Sequence, residues 1–279
     1  MENNKICEKV IVITGAGGII CGGFARECAK NNFKIALLDI DIKFITILKD
    51  ELLKINKNVI AIECNVLKKD SIIKACEQVI KEFSRIDILI NGAGGNNPKA
   101  TTTNERYSEN DVKNNDVVSF FDIDPDGFKF VFDLNLIGTF LPTQVFAKHL
   151  LHKGASIINI SSASAPHSIS KVPAYSAAKA AIENLTQWLA YHFANTGLRV
   201  NAIAPGFFLT KQNEKLLINP DGSYTNRTKK VLAHTPMNRL GNVNELFGTL
   251  LYLINEEISG FVTGTTITVD GGFGSFSGV

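Results

Sequence analysis

Seven short apolar runs rich in β-branched residues recur along this 279-residue chain, and stretches with helical periodicity fill most of the gaps between them. The runs interpreted as strands are Val10–Thr14, Lys34–Asp39, Asn58–Glu63, Ile86–Asn91, Ala155–Ser161, Leu198–Ile203 and Thr266–Asp270. The clearest helical stretches are Ser71–Phe83, Phe128–Leu151, Pro173–Thr196 and Asn242–Asn255. Strands this apolar on both faces are typical of a parallel sheet covered by helices on both sides. The pattern therefore predicts an α/β fold with a doubly wound parallel sheet of about seven strands.

The length and the lack of a Pro/Gly/Ser-rich linker favour a single domain spanning 1–279. The 29 basic residues nearly balance the 27 acidic ones, which argues against nucleic acid as a partner. No apolar run approaches the ~18 residues of a membrane span, and Met1–Val10 lacks the features of a signal peptide. We therefore expect a cytoplasmic protein with no membrane partner.

Five cysteines lie in the first third of the chain, and they form no C-x-x-C pair. They are Cys7, Cys21, Cys28, Cys64 and Cys76. We expect reduced, buried thiols, with neither a disulfide framework nor a metal site.

Two connections are too long and polar for the alternating pattern. Gly94–Asp124 follows the fourth predicted strand, and Thr210–Leu240 follows the sixth; we call them the first and second insertions, near 95–124 and 210–240. Both leave the carboxyl ends of strands, where open α/β sheets bind ligands. Long connections of this kind are commonly binding loops or lids, and a surface insertion without function is the alternative.

The glycine-rich stretch TGAGGIICGG, residues 14–23, follows the first predicted strand directly. It is not a P-loop, because Gly23 and Phe24 occupy the positions where that motif needs Lys and then Ser or Thr. A G-x-G-x-x-G dinucleotide pattern begins at Gly15 and Gly17 but then meets Ile20. Taken alone this is a weak signal, which a structural turn would also explain.

The surroundings of the glycine stretch favour a dinucleotide site. A strand precedes it, an amphipathic helix follows, and Asp39 ends the next predicted strand. The helix amino terminus would offer N–H groups to a pyrophosphate, and the Asp39 carboxylate would accept hydrogen bonds from ribose hydroxyls. A 2′-phosphate would be repelled there, so we predict NAD(H) over NADP(H). The alternative for Asp39 is a helix N-cap.

A second signal lies in residues 156–190. Tyr175 and Lys179 are four residues apart in a helical stretch and therefore adjacent on one face. An ammonium group beside a phenol favours the phenolate and lowers its pKa, which suits a general acid/base. Ser162, at the end of the fifth predicted strand, is placed to hydrogen-bond the same reacting oxygen. A Y-x-x-x-K pair alone is commonly a solvated helix face.

With these motifs the chain resembles the short-chain dehydrogenase/reductase family over nearly its whole length. The matching residues are Thr14-Gly15, Asn91-Gly92-Ala93-Gly94, Asn135, Ser162, Tyr175, Lys179 and Pro205-Gly206-Phe207-Phe208-Leu209-Thr210. The resemblance implies a Rossmann-like fold in which Tyr175 is the general acid/base and Ser162 orients the substrate carbonyl. It further implies that Lys179 lowers the tyrosine pKa and that Asn135 holds a water in a proton relay.

The resemblance also implies a cofactor site, in which Asn91 lines the adenosine side and Thr210 binds the nicotinamide carboxamide. The residues expected to contact the dinucleotide are Gly15, Gly17, Gly18, Ile19, Asp39, Asn65, Val66, Asn91, Ala93, Tyr175, Lys179, Pro205, Gly206, Phe208 and Thr210.

Two departures from the family pattern affect this site. The family loop T-G-x-x-x-G-x-G would have glycine at positions 19 and 21, where this chain has Ile19 and Cys21. Asn65 replaces the aspartate that commonly follows the third strand.

A finer resemblance, which includes both insertions, is to the bacterial D-mannonate oxidoreductase (fructuronate reductase) group. It implies interconversion of D-fructuronate and D-mannonate, and the resemblance to the wider family implies assembly as a homotetramer or homodimer. The polar residues expected to hold a sugar acid are Asn96, Asn97, Lys99, Lys211, Arg227 and His234. We expect Arg227 or Lys211 to pair with the carboxylate. The alternatives are a reductase of 5-ketogluconate or 3-oxoacyl thioesters, or a catalytically silent dinucleotide-binding scaffold.

Overall fold

The computed structural model describes residues 9–209 and 217–276, and within them seven parallel strands form one sheet in the order β3-β2-β1-β4-β5-β6-β7. The strands are β1 Val10–Thr14, β2 Lys34–Asp39, β3 Val59–Glu63, β4 Ile88–Asn91, β5 Ser156–Ile160, β6 Arg199–Pro205 and β7 Thr266–Val269. The helices are α1 Ile19–Lys30, α2 Ile42–Leu52, α3 Lys69–Phe83, α4 Pro125–Phe132, α5 Gly138–Phe146, α6 Pro173–His192, α7 Asn226–Ala233, α8 Phe247–Ile254 and α9 Glu256–Ser259. The predicted doubly wound parallel sheet is confirmed.

Apolar cores cover both faces of the sheet. On one face α1, α2 and α8 pack against residues such as Ile11 and Ile13, and Phe24 is fully buried among them. On the other face α3, α5 and α6 pack against Val10 and Val12, with Phe146 fully buried. Alternate residues of β1 therefore point into different cores, which explains why its sequence is apolar throughout.

The strand order reverses beside β1, whose neighbours are β2 on one side and β4 on the other. Thr14, the last residue of β1, pairs in register with Asn91, the last residue of β4. The loops after these two strands therefore leave the same edge of the sheet side by side. In a doubly wound sheet this switch point is where a ligand crevice opens.

The stretch predicted as one helix, Phe128–Leu151, has a more complex course. A turn of π-helix, Asp133–Ile137, separates α4 from α5, and a 3-10 turn, Ala147–His149, follows α5. The whole helical run Pro125–His149 is, by length and composition alone, long and apolar enough to cross a membrane, which sequence analysis did not anticipate. In the fold it packs against α3, α6 and β4, as a core helix does.

The described parts of the two insertions pack against each other and against the segment before α6. Lys230 of α7, in the second insertion, pairs with Glu105 of the first at 2.9 Å. The Thr102 N–H donates to the Lys171 carbonyl at 3.0 Å. The first insertion contains short 3-10 turns and one buried carboxylate, Asp111, which accepts hydrogen bonds from Asn104 and Ser108. These hydrogen bonds and the ion pair hold the first insertion in a defined conformation.

The four described cysteines are free and buried, as expected. Burial raises the pKa of the Cys21 thiol to about 12 and those of Cys64 and Cys76 to about 11. These thiols are therefore protonated and unreactive at neutral pH. Cys7 lies outside the described residues.

Candidate active site

The loop between β1 and α1 approaches the backbone of the next loop so closely that it needs glycine. Gly15 has φ +64°, and a methyl group there would lie 2.7 Å from the Ala93 backbone. Gly17 and Gly18 are exposed at the top of the loop, and Gly18 precedes α1 without a side-chain cap on the helix. The amino terminus of α1 thus presents uncapped N–H donors, with Ile19 as its first residue, to an anion at the switch point.

The loop departs from the family pattern at Cys21, and Gly92 accommodates that change. A methyl group at position 92 would lie 2.0 Å from the Cys21 sulfur and 3.1 Å from the Thr14 carbonyl oxygen. The Thr14 hydroxyl accepts a hydrogen bond from the Gly92 N–H at 3.1 Å, which holds the β4 loop against β1. The thiol fills space that glycine leaves in the neighbouring loop.

Asp39 braces the glycine loop from the end of β2. Its carboxylate accepts the Gly17 N–H at 2.9 Å and the Asp41 N–H at 3.1 Å. The alternative that Asp39 caps the next helix is wrong, because Asp41 is the N-cap of α2 and accepts the Lys43 N–H. A half-buried negative charge therefore stands beside the loop, where a 2′-phosphate would meet repulsion.

Asn65 and Val66, which we expect to contact the dinucleotide, lie on the rim of the same crevice. The Asn65 amide oxygen accepts the Leu67 N–H at 2.9 Å, so one of its two acceptor positions is already used. Val66 is 7% exposed, and its side chain lies close to Gly138 at the start of α5. Ala93 is half-buried above Gly15.

The expectation for the Asn91 side chain is wrong. Asn91 is 1% exposed, and its amide donates to the Thr143 hydroxyl and to the Asn159 side-chain oxygen, both at 2.9 Å. Asn159 in turn donates to the Thr186 hydroxyl at 2.9 Å. The side chain therefore links β4, β5, α5 and α6 inside the core and does not line the adenosine side of the crevice. The Asn91 amide nitrogen thus supplies donors to two buried oxygens, whereas its own side-chain oxygen has no hydrogen-bond partner among the described residues.

Tyr175 lies in the first turn of α6, half-buried, with its hydroxyl hydrogen-bonded to Ser162. Burial raises the pKa of the Tyr175 hydroxyl, and the hydrogen bond with Ser162 lowers it by a smaller amount. The net direction in the ligand-free protein is upward, and the lowering expected from Lys179 stays a prediction. The Lys179 ammonium lies 5.5 Å from the centroid of the Tyr175 ring and donates to the Ile160 carbonyl oxygen at 2.7 Å.

Lys179 is 5% exposed, and burial lowers its pKa to about 8. A methyl group at Gly94 would lie 3.3 Å from the lysine Nζ and 2.6 Å from the side-chain oxygen of Asn135. The side chains of Lys179 and Asn135 therefore both lie directly beneath position 94, in the loop that follows β4. Only glycine fits at that position.

Asn135 is fully buried in the π-helical turn between α4 and α5. Its amide nitrogen donates to the Gly95 carbonyl at 2.7 Å and to the Val131 carbonyl at 2.8 Å. Turns of π-helix inside α-helices are frequent at functional sites, since they redirect one residue out of the regular ladder. The structure thus brings together all four predicted catalytic residues, Asn135, Ser162, Tyr175 and Lys179.

At the end of β6, Pro205 and Gly206 form the other wall of the crevice. A methyl group at Gly206 would lie 2.6 Å from the Asp270 Cα, so the chain packs tightly against the segment after β7. Phe208 is 5% exposed, with its ring against Gly241, and its side chain is therefore a packing element. Thr210 and Lys211 lie outside the described residues.

The predicted substrate residues divide into two groups. Arg227 and His234 line a cavity of about 840 Å³ between the insertions. Lys99 instead faces Asp124 at 3.5 Å and Asn97 caps a 3-10 turn; neither residue lines this cavity, and their contacts with substrate stay predictions. Asn96 donates to the Thr101 hydroxyl at 3.0 Å and is likewise used locally.

Sequence reasoning missed several residues of this cavity. They are Glu105, Arg106, His167, Lys171, Phe207, Lys230 and Phe273. Most of them lie in an insertion or between Ser162 and Tyr175, whereas Phe207 belongs to the motif after β6 and Phe273 follows β7. Sequence position does not show which of these side chains share a cavity.

Comparison with known proteins agrees with this geometry. The family model described as enoyl-(acyl carrier protein) reductase, a model for short-chain dehydrogenases, matches residues 15–274. The chain belongs to the short-chain dehydrogenase/reductase family. It is an oxidoreductase of that family, with the seven-stranded Rossmann-like sheet described above.

Within the short-chain dehydrogenase/reductase family, the chain is similar over nearly its whole length to two uncharacterized bacterial oxidoreductases. The UxuB protein of Bacillus subtilis is 49% identical over 278 residues, which cover 99% of both chains. A Haemophilus influenzae protein is also 49% identical, over 99% of this chain and 97% of its own length. A solved Haemophilus structure with bound NAD, proposed to be a D-mannonate oxidoreductase, is 48% identical with a TM-score of 0.93. That comparison covers 97% of this chain and 96% of the other.

Proposed function

We propose that this protein is an NAD(H)-dependent oxidoreductase that interconverts a keto sugar acid and its hydroxy acid. The specific reaction proposed is D-fructuronate + NADH + H⁺ ⇌ D-mannonate + NAD⁺. The observation that carries the proposal is the Ser162–Tyr175 hydrogen bond, with the buried Lys179 behind the tyrosine ring. The Haemophilus structure with 48% identity supports both the cofactor and the substrate.

The residues at the switch point fit a dinucleotide. The uncapped start of α1 suits a pyrophosphate, because its N–H groups and helix dipole favour negative charge. The exposed Gly17 and Gly18 leave room for close approach, and the Asp39 carboxylate is placed to accept ribose hydroxyls. The same carboxylate disfavours a 2′-phosphate, which supports NAD(H) over NADP(H).

Tyr175 and Ser162 perform the proton chemistry in this proposal. Bound NADH supplies a hydride to the ketone carbon. Ser162 donates a hydrogen bond to the carbonyl oxygen, and Tyr175 donates its proton to the same oxygen as negative charge develops there. In the reverse direction the tyrosine oxygen removes the proton from the alcohol.

Lys179 and Asn135 support that proton transfer. The ammonium group favours the phenolate that remains after Tyr175 has given up its proton. Asn135 fixes the loop after β4 through the Gly95 carbonyl, and so holds the space above Lys179 in which we propose the relay water lies.

The proposal is tested by NADH absorbance with D-fructuronate, 5-ketogluconate and a 3-oxoacyl thioester as substrates. We expect D-fructuronate to give the highest kcat/KM. Tyr175→Phe should abolish turnover, since the donor proton is lost, while NADH binding measured by fluorescence stays unchanged. A Tyr175→Phe enzyme within about tenfold of wild type would contradict the assigned role, and a wild-type enzyme inactive with every substrate would favour the silent scaffold.

We further propose that residues 1–279 form one domain and act in the cytoplasm as a homo-oligomer, a tetramer or a dimer. Large apolar side chains exposed on α4, α5 and α6 support the assembly: Phe130, Phe140, Trp188 and Tyr191. Light scattering of the purified protein tests it, and a monomeric mass at micromolar concentration would contradict it.

A further inference from the structure

The cavity between the insertions is lined in part by the chain segment that carries catalytic residues at its two ends. Residues 167–171 line it, and they belong to the segment that begins at Ser162 and ends at Tyr175. Phe207, two residues beyond the end of β6, lines it as well. The cavity therefore lies at the carboxyl edge of β5 and β6, beside the segment that joins Ser162 to Tyr175. Its volume of about 840 Å³ is ample for a six-carbon ligand.

The charges around the cavity are unbalanced. Four cations line it, Arg106, Lys171, Arg227 and Lys230, against a single carboxylate, Glu105. Lys230 is paired with Glu105 at 2.9 and 3.0 Å. Among the described residues the other three cations form no ion pair. The cavity thus keeps a surplus of positive charge, supplied by both insertions and by the segment before α6.

Lys171 is held at the cavity wall in an unusual backbone conformation. Its φ is +73°, in the left-handed region that residues other than glycine rarely adopt. The Thr102 N–H, from the first insertion, donates to its carbonyl at 3.0 Å and holds it in place. Strained backbone of this kind is found at ligand sites, where the surrounding contacts fix a side chain in a required direction.

The remaining lining suits a hydroxylated ligand of limited apolar surface. Ser168, Ser170 and Ser275 offer hydroxyl groups, and Phe207 and Phe273 form an edge-to-face pair with centroids 5.1 Å apart. Hydroxyl groups, an aromatic wall and unpaired cations together match a polyhydroxylated carboxylate better than a neutral sugar or an acyl chain.

We propose that Arg106, Lys171 and Arg227 form the subsite that binds the carboxylate of the substrate, and that the two insertions select sugar acids over neutral sugars by building it. This inference rests on the proposed oxidoreductase function and assigns the substrate-binding end of the same crevice. The planar guanidinium group of Arg227 pairs with both carboxylate oxygens, and the positive charges of Arg106 and Lys171 oppose release of the carboxylate.

The test compares an acid and its neutral analogue. D-Fructuronate and D-fructose differ only in a carboxylate against a hydroxymethyl group, so their kcat/KM ratio measures carboxylate recognition. Arg227→Gln should raise KM for D-fructuronate about 10- to 100-fold, because a charge-assisted pair is lost, with kcat within about threefold. The value for D-fructose should not change.

Lys229→Gln is the matched control, since Lys229 is exposed on the same helix but does not line the cavity. It should leave both substrates unaffected. Arg106→Gln and Lys171→Gln should each raise KM for the acid alone, and the triple variant should remove the preference for the acid. If the triple variant keeps the wild-type ratio, or if Lys229→Gln lowers it as much as Arg227→Gln does, the subsite is wrong.

A binding measurement separates this inference from the reaction. Calorimetry with D-gluconate and D-glucitol needs no turnover, and wild type should bind the acid about tenfold or more tightly than the polyol. If no sugar acid is reduced but this preference exists and Arg227→Gln removes it, the reaction is wrong and the subsite stands. If wild type shows no preference, the subsite is overturned even if D-fructuronate is reduced.

Discussion

Ser164 donates two hydrogen bonds to the hydroxyl oxygen of Ser162, one from its backbone N–H at 3.2 Å and one from its own hydroxyl at 3.0 Å. A hydroxyl oxygen has two acceptor positions, so both are filled. The hydrogen of Ser162 is then left to be donated, and its neighbour is the Tyr175 oxygen. Ser164 is 2% exposed and lies too deep to reach a substrate, so it acts as a positioning residue.

Ser164→Ala should therefore impair catalysis without affecting NADH binding. The Ser162 hydroxyl would lose one of the donors that fix its direction, and we expect kcat to fall about three- to tenfold. Because the Ser162 hydrogen bond lowers the Tyr175 pKa, the pH profile of alcohol oxidation should also shift to higher pH. Ser164→Thr should restore both properties. Ser108→Ala, at an exposed serine of the first insertion that does not line the cavity, is the control; an unshifted profile in Ser164→Ala would exclude the positioning role.

Gly94 should not tolerate a side chain. In Gly94→Ala the new methyl group would lie 2.6 Å from the Asn135 oxygen and 3.3 Å from the Lys179 Nζ, and both partners are buried. We expect at least about a tenfold loss of kcat and a loss of about 1–3 kcal/mol in the free energy of unfolding, as in other overpacked sites. Gly95→Ala is the matched control, because its methyl group meets only Leu134 at 3.8 Å. Equal activities in the two variants would show that this contact does not matter.

The sequence predicted the fold well because each signal for it is local. Runs of apolar residues set the seven strands, and the predicted boundaries agree with β1 and β2 to the residue. Tyr175 and Lys179 were found for the same reason, since a spacing of four residues is a property of one helix. The π-helical turn at Asn135 could not be predicted, because the residues around it are so uniformly apolar that a shift in the phase of the periodicity is not visible.

Predictions failed where several segments decide the outcome together. Asn91 turns into the core because Thr143 and Asn159 offer partners there. The pKa of Tyr175 depends on its burial and on the nearby Ser162 hydroxyl. Sequence spacing contains none of this information, so the side-chain environment had to come from the structure.

Cys21 and Gly92 should behave as a coupled pair in stability measurements. Gly92→Ala would place a methyl group 2.0 Å from the Cys21 sulfur, and we expect a loss of roughly 2 kcal/mol or more in unfolding free energy. Cys21→Gly, which restores the family residue, removes that clash, so the double variant should recover part of the loss. Recovery should be incomplete, because the Thr14 carbonyl would still lie 3.1 Å from the methyl group. Denaturant unfolding of all four proteins measures the coupling, and additive effects would show that the thiol is not the obstacle.

Lys179 should make stability depend on pH in the alkaline range. Its pKa is about 8 in the folded protein, below the 10.5 of an unburied lysine, so between these values the unfolded chain binds the proton and the folded protein does not. Unfolding free energy then rises with pH from about 8 to 10.5, and below pH 8 the full penalty of the buried charge, on the order of 3 kcal/mol, is present.

Lys179→Met lacks this group and serves as the reference. Although the variant also leaves the Ile160 carbonyl without its lysine donor, that cost does not vary with pH. We therefore expect wild type to gain stability relative to Lys179→Met as pH rises from 8 to 10, in parallel denaturant titrations. A difference between the two proteins that stays constant over this range would mean that the lysine is not desolvated.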